Sequence, residues 1–132
     1  MGHSDLTICL ITDEVSSSLD EGLAFACEEG IGTIDLRVVD GRNVLALSRE
    51  ELADAARRVR AAGLSVSCLC TPLLKWSPPG KSARTAGDQF GFELGDRAPR
   101  DLYAQAFMAA EILSARNLRI FSYLAYDELP PG

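Results

Sequence analysis

The sequence predicts an α/β fold built from parallel (β/α) repeats, in which four strands alternate with three helices, strand first. Three similar junctions point to it: EEGIGTIDLR, AAGLSVSCLC and SARNLRIFSY. Each ends a helix at Gly or Asn, continues with one aliphatic residue and enters a strand. Strands that alternate with helices in this way imply right-handed crossovers and a parallel sheet.

The first strand, helix and second strand follow from local signals. An apolar run predicts a strand at residues 6–12, and Ser18 with Glu21 three residues later forms a capping box that begins a helix. Apolar residues of this helix recur at spacings of three and four, and Gly30 ends it. The second strand is predicted at residues 33–39.

The second helix and third strand repeat these signals. Ser48 and Glu51 form another capping box, and Gly63 ends the helix. The following apolar segment, residues 65–71, predicts the third strand.

The third helix is separated from that strand by an unusually long connection. Residues 73–98 exceed the ordinary strand-to-helix loop several-fold, and such loops often serve as lids or binding loops, although a mobile surface insertion is the simpler alternative. The helix is predicted at about 100–116, with Asn117 as its stop residue, and the fourth strand at 118–123.

Two architectures accommodate these elements: an open flavodoxin-like sheet and part of a (β/α)8 barrel. A complete barrel needs about 250 residues, so the 132-residue chain, interpreted as a single domain, corresponds to about half of one. The edge strands of a half barrel would be unpaired, which is a liability. We therefore expect a homo-oligomer, or a barrel completed by a second half missing from this chain.

Composition narrows the class of partner. The chain is 47% hydrophobic and 24% charged, as expected for a globular domain with a core, and its net charge is -6 with a pI near 4.7. An acidic balance argues against nucleic acid and against anionic membranes, so a small molecule is the expected partner. No apolar run approaches the roughly 20 residues of a membrane span, and a cytoplasmic location is predicted.

Two charged residues in the second predicted strand suggest a polar cavity. Asp35 and Arg37 are two residues apart, so they share one face of a strand. An intrastrand ion pair would explain them, but a central parallel strand is normally apolar on both faces. We favour a cavity in which Asp35 orients Arg37 and Arg37 holds an oxygen-rich ligand.

Other polar residues follow the predicted strands, where ligands of parallel α/β proteins bind. Asp13 and Glu14 follow the first strand, and either they complement a helix dipole or one of them contacts substrate hydroxyls. Asn43 follows the second strand, where a turn alone could account for it. Lys75 and Trp76 begin the long connection.

A metal or nucleotide site has weak support in the sequence. Cys68 and Cys70 share a strand face and could hold a soft metal, but no histidine neighbours them, and all four cysteines are expected to be reduced and buried. Phosphate-loop, dinucleotide-binding, serine-hydrolase and zinc-protease patterns do not occur.

Several motifs carry a resemblance to a known family. They are ITDEV at the end of the first strand, IDLRVVDGRNVL at the second, the TPLLKW segment at residues 71–76 and RIFSY at the fourth strand. In these the chain resembles the sugar phosphate isomerase/epimerase family of xylose-isomerase-like TIM barrels. The match covers most of the chain.

The resemblance implies a barrel that binds a divalent metal, Mn²⁺ or Mg²⁺, and isomerises or epimerises a sugar or sugar phosphate through an enediolate. The family's metal ligands belong to the second half of the barrel and have no counterpart here, and no catalytic residue can be assigned. The resemblance marks these residues as substrate contacts: Glu14, Arg37, Asn43, Lys75 and Trp76.

This chain alone is then expected to be inactive. The alternative is a non-catalytic half-barrel module that associates with itself or with another chain.

Overall fold

Four short parallel strands form the main sheet of the protein. The structure, a computed structural model, describes residues 5–84 and 87–126. In chain order its strands and helices are β1 (Cys9–Ile11), α1 (Leu19–Glu28), β2 (Thr33–Leu36), β3 (Val38–Val39), β4 (Arg42–Asn43), α2 (Arg49–Ala61), β5 (Ser65–Leu69), α3 (Pro99–Leu113) and β6 (Asn117–Leu118). The main sheet has the order β1-β2-β5-β6, so the predicted α/β class, parallel sheet and three helices are confirmed.

The two faces of the sheet differ in burial. Neighbouring strands align residues in rows, and one face carries the apolar rows Leu10–Ile34–Val66 and Leu36–Leu69–Leu118, which are buried except for the partly buried Leu10 and Leu118. These rows belong to the same core cluster as the helix residues Leu23, Leu52 and Leu102. The opposite face carries the row Ile11–Asp35–Cys68–Asn117, whose members stay partly or fully exposed. The helices therefore cover one face of the sheet.

The second predicted strand is interrupted at Arg37. β2 ends at Leu36, and β3 pairs antiparallel with β4 in a separate two-stranded hairpin. Asp40 and Gly41 form its turn with φ angles of 50° and 80°, the left-handed pair that such hairpin turns require. The turn at this point was predicted, whereas the hairpin was not, and it makes the strand and helix alternation irregular.

The two predicted capping boxes have different outcomes. At α2 the box is complete: Glu51 N donates to the Ser48 side chain at 3.2 Å, and Ser48 N donates to the Glu51 carboxylate at 2.7 Å. At α1 the Ser18 side chain accepts from Glu21 N, but Ser18 N donates to the Ser16 hydroxyl at 3.1 Å. The prediction of a full box at α1 was wrong because a nearer serine supplies the acceptor.

The ends of the helices were predicted well except for α3. Gly30 and Gly63 follow α1 and α2 as predicted. The third helix ends at Leu113 rather than near 116, and Ser114 adopts the left-handed conformation expected of Asn117. Asn117 instead begins β6, so the prediction of a helix stop there was wrong.

The strands are shorter than predicted because their ends leave the regular ladder. Residues 119–124 still run beside residues 69–76, although only Asn117–Leu118 is regular strand. The backbone hydrogen bonds that join these segments are Arg119 N to Leu69 O at 3.0 Å, Phe121 N to Leu73 O at 2.9 Å and Leu124 N to Trp76 O at 3.0 Å. The end of the predicted fourth strand therefore runs alongside the start of the long connection.

The cysteines differ from one another in burial. Cys70 is buried, but Cys27 lies exposed on α1, so the expectation that all four cysteines are buried was wrong. Within the described residues, none of the helices is both long and apolar enough to cross a membrane. The described part of 73–98 contains neither helix nor regular strand, while residues 85 and 86 lie outside the described residues. The lid remains a prediction.

Candidate functional site

The carboxyl ends of β1 and β2 place one arginine between two carboxylates. Arg37 Nε donates to Asp13 Oδ2 at 2.9 Å, and Arg37 Nη2 donates to Glu14 Oε1 at 2.6 Å. Both acids reach the same guanidinium because residues Thr12–Glu14 form a 3-10 turn. In an extended chain the side chains of these two adjacent residues would diverge instead.

Burial differs sharply within this ion cluster. The side chains of Arg37 and Asp13 are 10% and 8% exposed, whereas that of Glu14 is 62% exposed. Burial alone would lower the pKa of Arg37, but hydrogen bonds and charge from Asp13 and Glu14 outweigh it and hold that pKa above its ordinary value. One guanidinium with two carboxylates carries a formal charge of -1, so the exposed Glu14 can accept hydrogen bonds from ligand hydroxyl groups.

Phe90, which the sequence reasoning missed, covers this cluster. The Arg37 guanidinium carbon lies 3.7 Å from the centre of the Phe90 ring, a cation–π contact. Lys75 Nζ lies 5.1 Å from the same centre, and Asn43 Nδ2 donates to Phe90 O at 3.3 Å. Phe90 thus joins three of the predicted site residues, and no strand-end rule could have selected a residue in the middle of a long connection.

Asn43 makes its polar contacts within the protein. It is fully buried, and its Oδ1 accepts from Leu45 N at 3.0 Å, which caps the short 3-10 turn Val44–Ala46. With its amide donating to Phe90, Asn43 fixes the long connection against the hairpin. Its predicted contact with substrate stays a prediction.

Lys75 and Trp76 lie beside a second feature, a cavity of about 450 Å³. Both residues line it, and Lys75 Nζ also donates to the carbonyl oxygen of Asp88 and lies 5.5 Å from the centre of the Phe121 ring. The structure therefore brings Glu14, Arg37 and Lys75 to one edge of the sheet, while Trp76 contributes to the adjacent cavity.

Asp35 does not orient Arg37. Its Oδ1 accepts from Cys68 N at 3.0 Å, at a register shift between β2 and β5 that frees this backbone donor. Burial raises the pKa of Asp35, and the hydrogen bond from Cys68 opposes that rise. The prediction of an Asp35–Arg37 pair was wrong because the register shift, a β-bulge, exposes Cys68 N as a hydrogen-bond donor to Asp35.

Cys68 in β5 and Cys70, which follows that strand, have unreactive thiols. Burial raises the pKa of Cys70 to about 11 and also raises that of Cys68. Both thiols are therefore protonated at neutral pH and are poor nucleophiles.

The acidic residues of the site do not form a metal centre. Across residues 5–84 and 87–126, no group of three or more His, Cys, Asp or Glu side chains could hold a metal ion. Asp13 and Glu14 are already paired with Arg37, and Asp35 is bonded to backbone. The described residues do not fit the divalent metal that the family resemblance implies.

Comparison of the chain with protein-family models, with curated proteins and with solved structures found no match.

Proposed function

We propose that this chain is the amino-terminal half of a metal-dependent sugar or sugar-phosphate isomerase or epimerase with a (β/α)8 barrel. The observation that carries the proposal is the charged cluster of Asp13, Glu14 and Arg37 at the carboxyl edge of a parallel sheet. Ligands of such folds bind at this edge. A cytoplasmic location belongs to the same proposal.

The order of the strands supports a barrel over a flavodoxin-like sheet. A flavodoxin-like sheet reverses its strand order and so places helices on both faces. Here the order β1-β2-β5-β6 follows the chain without reversal, and no helix of residues 5–84 and 87–126 covers the face carrying Asp35 and Cys68. In a barrel that face would line the interior.

The exposed groups suit a polyhydroxylated ligand. Glu14 offers carboxylate oxygens to sugar hydroxyl groups, and Arg37 fixes its position. Lys75 supplies a positive charge for a phosphate or carboxylate, and Trp76 presents an aromatic surface to a sugar ring. No proton-transfer step is assigned to these residues, and the ligands of the proposed metal would lie outside the described residues.

Solvent isotope exchange tests this proposal. Enediolate chemistry removes a proton next to a carbonyl, so it incorporates deuterium from heavy water into the substrate. The longest natural product of this reading frame, supplied with Mn²⁺ or Mg²⁺, should exchange that position in at least one member of an aldose and ketose phosphate panel, as followed by proton NMR. Absence of exchange across the panel in metal-supplied protein would contradict the proposal.

The second candidate is a half-barrel module that associates with itself. Apolar side chains are exposed at both edges of the sheet: Leu6 and Ile8 precede β1, while Phe107 and Ile120 beside β6 are 66% and 59% exposed. An apolar groove of about 310 Å³ lies at the β6 edge. Exposed apolar groups of this kind favour an interface.

Light scattering after size-exclusion chromatography tests the second candidate. A self-associating module should be a dimer that Phe107→Asp converts to a monomer, while Phe25→Asp on α1 leaves it dimeric. A wild-type chain that stays monomeric at high concentration would remove the second candidate.

A further inference from the structure

We infer that the cavity under the long connection is a binding site for a small anion that carries a flat apolar group. The cavity measures about 450 Å³, within the range of small-molecule sites. The inference goes beyond the proposed function, because its ligand carries a flat apolar ring rather than a sugar, although Lys75 and Trp76 take part in both. The cavity is lined by described residues of this chain and needs no metal.

Backbone and side-chain hydrogen bonds hold the walls of the cavity in place. Ala83 N donates to the Ser77 hydroxyl at 3.0 Å, and Leu124 N donates to Trp76 O at 3.0 Å. The Gln89 side chain, which also lines the cavity, donates to Lys75 O at 3.0 Å. A cavity fixed in this way loses little conformational entropy when a ligand binds.

The charge of the lining favours an anion. The chain contains two lysines, Lys75 and Lys81, and both line this cavity. Among the described residues that line it, none carries a carboxylate, although the whole chain has a net charge of -6. Positive charge concentrated in a cavity of an acidic protein favours a phosphate or carboxylate group there.

The rest of the lining favours an apolar body attached to that anion. The aromatic and aliphatic walls are formed by Trp76, Phe92, Leu94 and Leu124. Phe92 is buried in the core cluster and Trp76 packs against it, so these walls are rigid. A planar ring that enters between them would remove apolar surface from water on both partners.

Trp76 is the single tryptophan of the chain and therefore reports on this cavity alone. Three probes separate the contributions: phenyl phosphate carries both groups, inorganic phosphate only the anion and phenol only the ring. Titrated in chelator without metal, phenyl phosphate should change the tryptophan fluorescence in a saturable way, and bind at least about tenfold more tightly than either other probe.

Two variants test whether the positive charge of the cavity lining contributes to binding. Lys81→Ala should weaken phenyl phosphate at least about tenfold and leave phenol unchanged. Arg100→Ala, which removes a charge from an exposed side chain at the start of α3, should have no effect. Circular dichroism checks that each variant is folded, and added salt should weaken phenyl phosphate binding by the wild type.

Four results would each overturn the inference: no saturable change with phenyl phosphate, equal affinity for phenol or inorganic phosphate, salt-independent binding by the wild type, or unchanged binding by folded Lys81→Ala. Because these titrations contain no metal, their outcome is independent of the isotope-exchange experiment. Phenyl phosphate binding without isotope exchange would support the cavity inference and contradict the isomerase proposal. Isotope exchange without phenyl phosphate binding would support the isomerase proposal and contradict the cavity inference.

Discussion

The guanidinium of Arg37 is stacked under the ring of Phe90, with 3.7 Å between the guanidinium carbon and the ring centre. This contact joins the carboxyl end of β2 to the long connection that precedes α3. Since Asn43 and Lys75 contact the same phenylalanine, the connection is anchored directly above the ion cluster. Four predictions follow from this arrangement and from the packing beneath it.

Phe90→Ala should destabilise the fold by about 1–2 kcal/mol, because it removes the cation–π contact with Arg37 and part of the cover of the site. Urea denaturation gives the free energy of unfolding. Phe107→Ala, at a ring that is largely exposed on α3, serves as control where light scattering shows a monomer, and should then change stability by less than about 0.5 kcal/mol. Equal effects of the two substitutions would contradict a structural role for Phe90.

Arg37→Ala should destabilise the fold by about 3–5 kcal/mol, because it leaves the buried carboxylate of Asp13 without its partner. The matched control is Arg57→Ala, which breaks an exposed ion pair with Asp54 and should cost less than about 1 kcal/mol. Urea denaturation at neutral pH compares the two. A loss for Arg37→Ala no larger than the control would mean that Asp13 is solvated, against the burial described.

Gly22→Ala tests the close approach of α1 to the turn that carries the acids. A Cβ at Gly22 would lie 2.8 Å from Thr12 Cβ, so the backbone of the turn must shift. Overpacking of this kind costs about 1–3 kcal/mol, of which the better helix propensity of alanine recovers up to about 1 kcal/mol. We expect a lower melting temperature by thermal denaturation.

Gly32→Ala is the control, because a Cβ there meets nothing within 4 Å. It should leave the melting temperature almost unchanged. A Gly22→Ala protein as stable as the Gly32→Ala protein would show that α1 and the turn are farther apart than described.

Asp35→Asn should alter the pH dependence of stability. Burial raises the pKa of Asp35 above its ordinary value of 3.8, so the folded protein binds this proton more tightly than the unfolded chain. The carboxyl therefore lowers stability as the pH rises from 3.8 through its folded pKa. Relative to wild type, Asp35→Asn should gain stability across that window, as measured by urea denaturation at a series of pH values.

Asp40→Asn provides a control of opposite sign. Hydrogen bonds from Arg58 hold the pKa of Asp40 below 3.8, so its contribution is present above that pH and is lost on acidification through the folded pKa. The variant should be less stable than wild type at neutral pH and equal to it in acid. If both variants showed the same pH trend, the assignment of the two environments would be wrong.

The sequence predicted those features that depend on neighbouring residues. The α2 capping box needs only Ser48 and Glu51, and the buried rows need only the alternation of strand side chains. By contrast, the partner of Arg37 lies 24 residues away, and its choice depends on a 3-10 turn. The strand pattern predicted Arg37 as a site residue. It could not predict that Asp13, rather than Asp35, is the partner of Arg37.

Phe90 and the bulge at Asp35 were unpredictable for related reasons. A bulge shifts the register between β2 and β5 and depends on the pairing of two strands. The position of Phe90 depends on where an irregular connection folds back, which no periodicity encodes. The candidate site residues that the sequence predicted therefore lie in or after strands. Phe90 and the bulge, which it did not predict, lie where distant segments of the chain meet.

The central claim is that a sugar-type ligand binds at the carboxyl edge of the sheet, around Glu14, Lys75 and Phe90. Amide NMR spectra recorded during titration with a panel of aldose and ketose phosphates test it most directly. We expect saturable shifts at these three amides, with little change at Gly32 and Ser65 on the amino edge. Titrations that shift no amide, or that shift the amino edge instead, would contradict it.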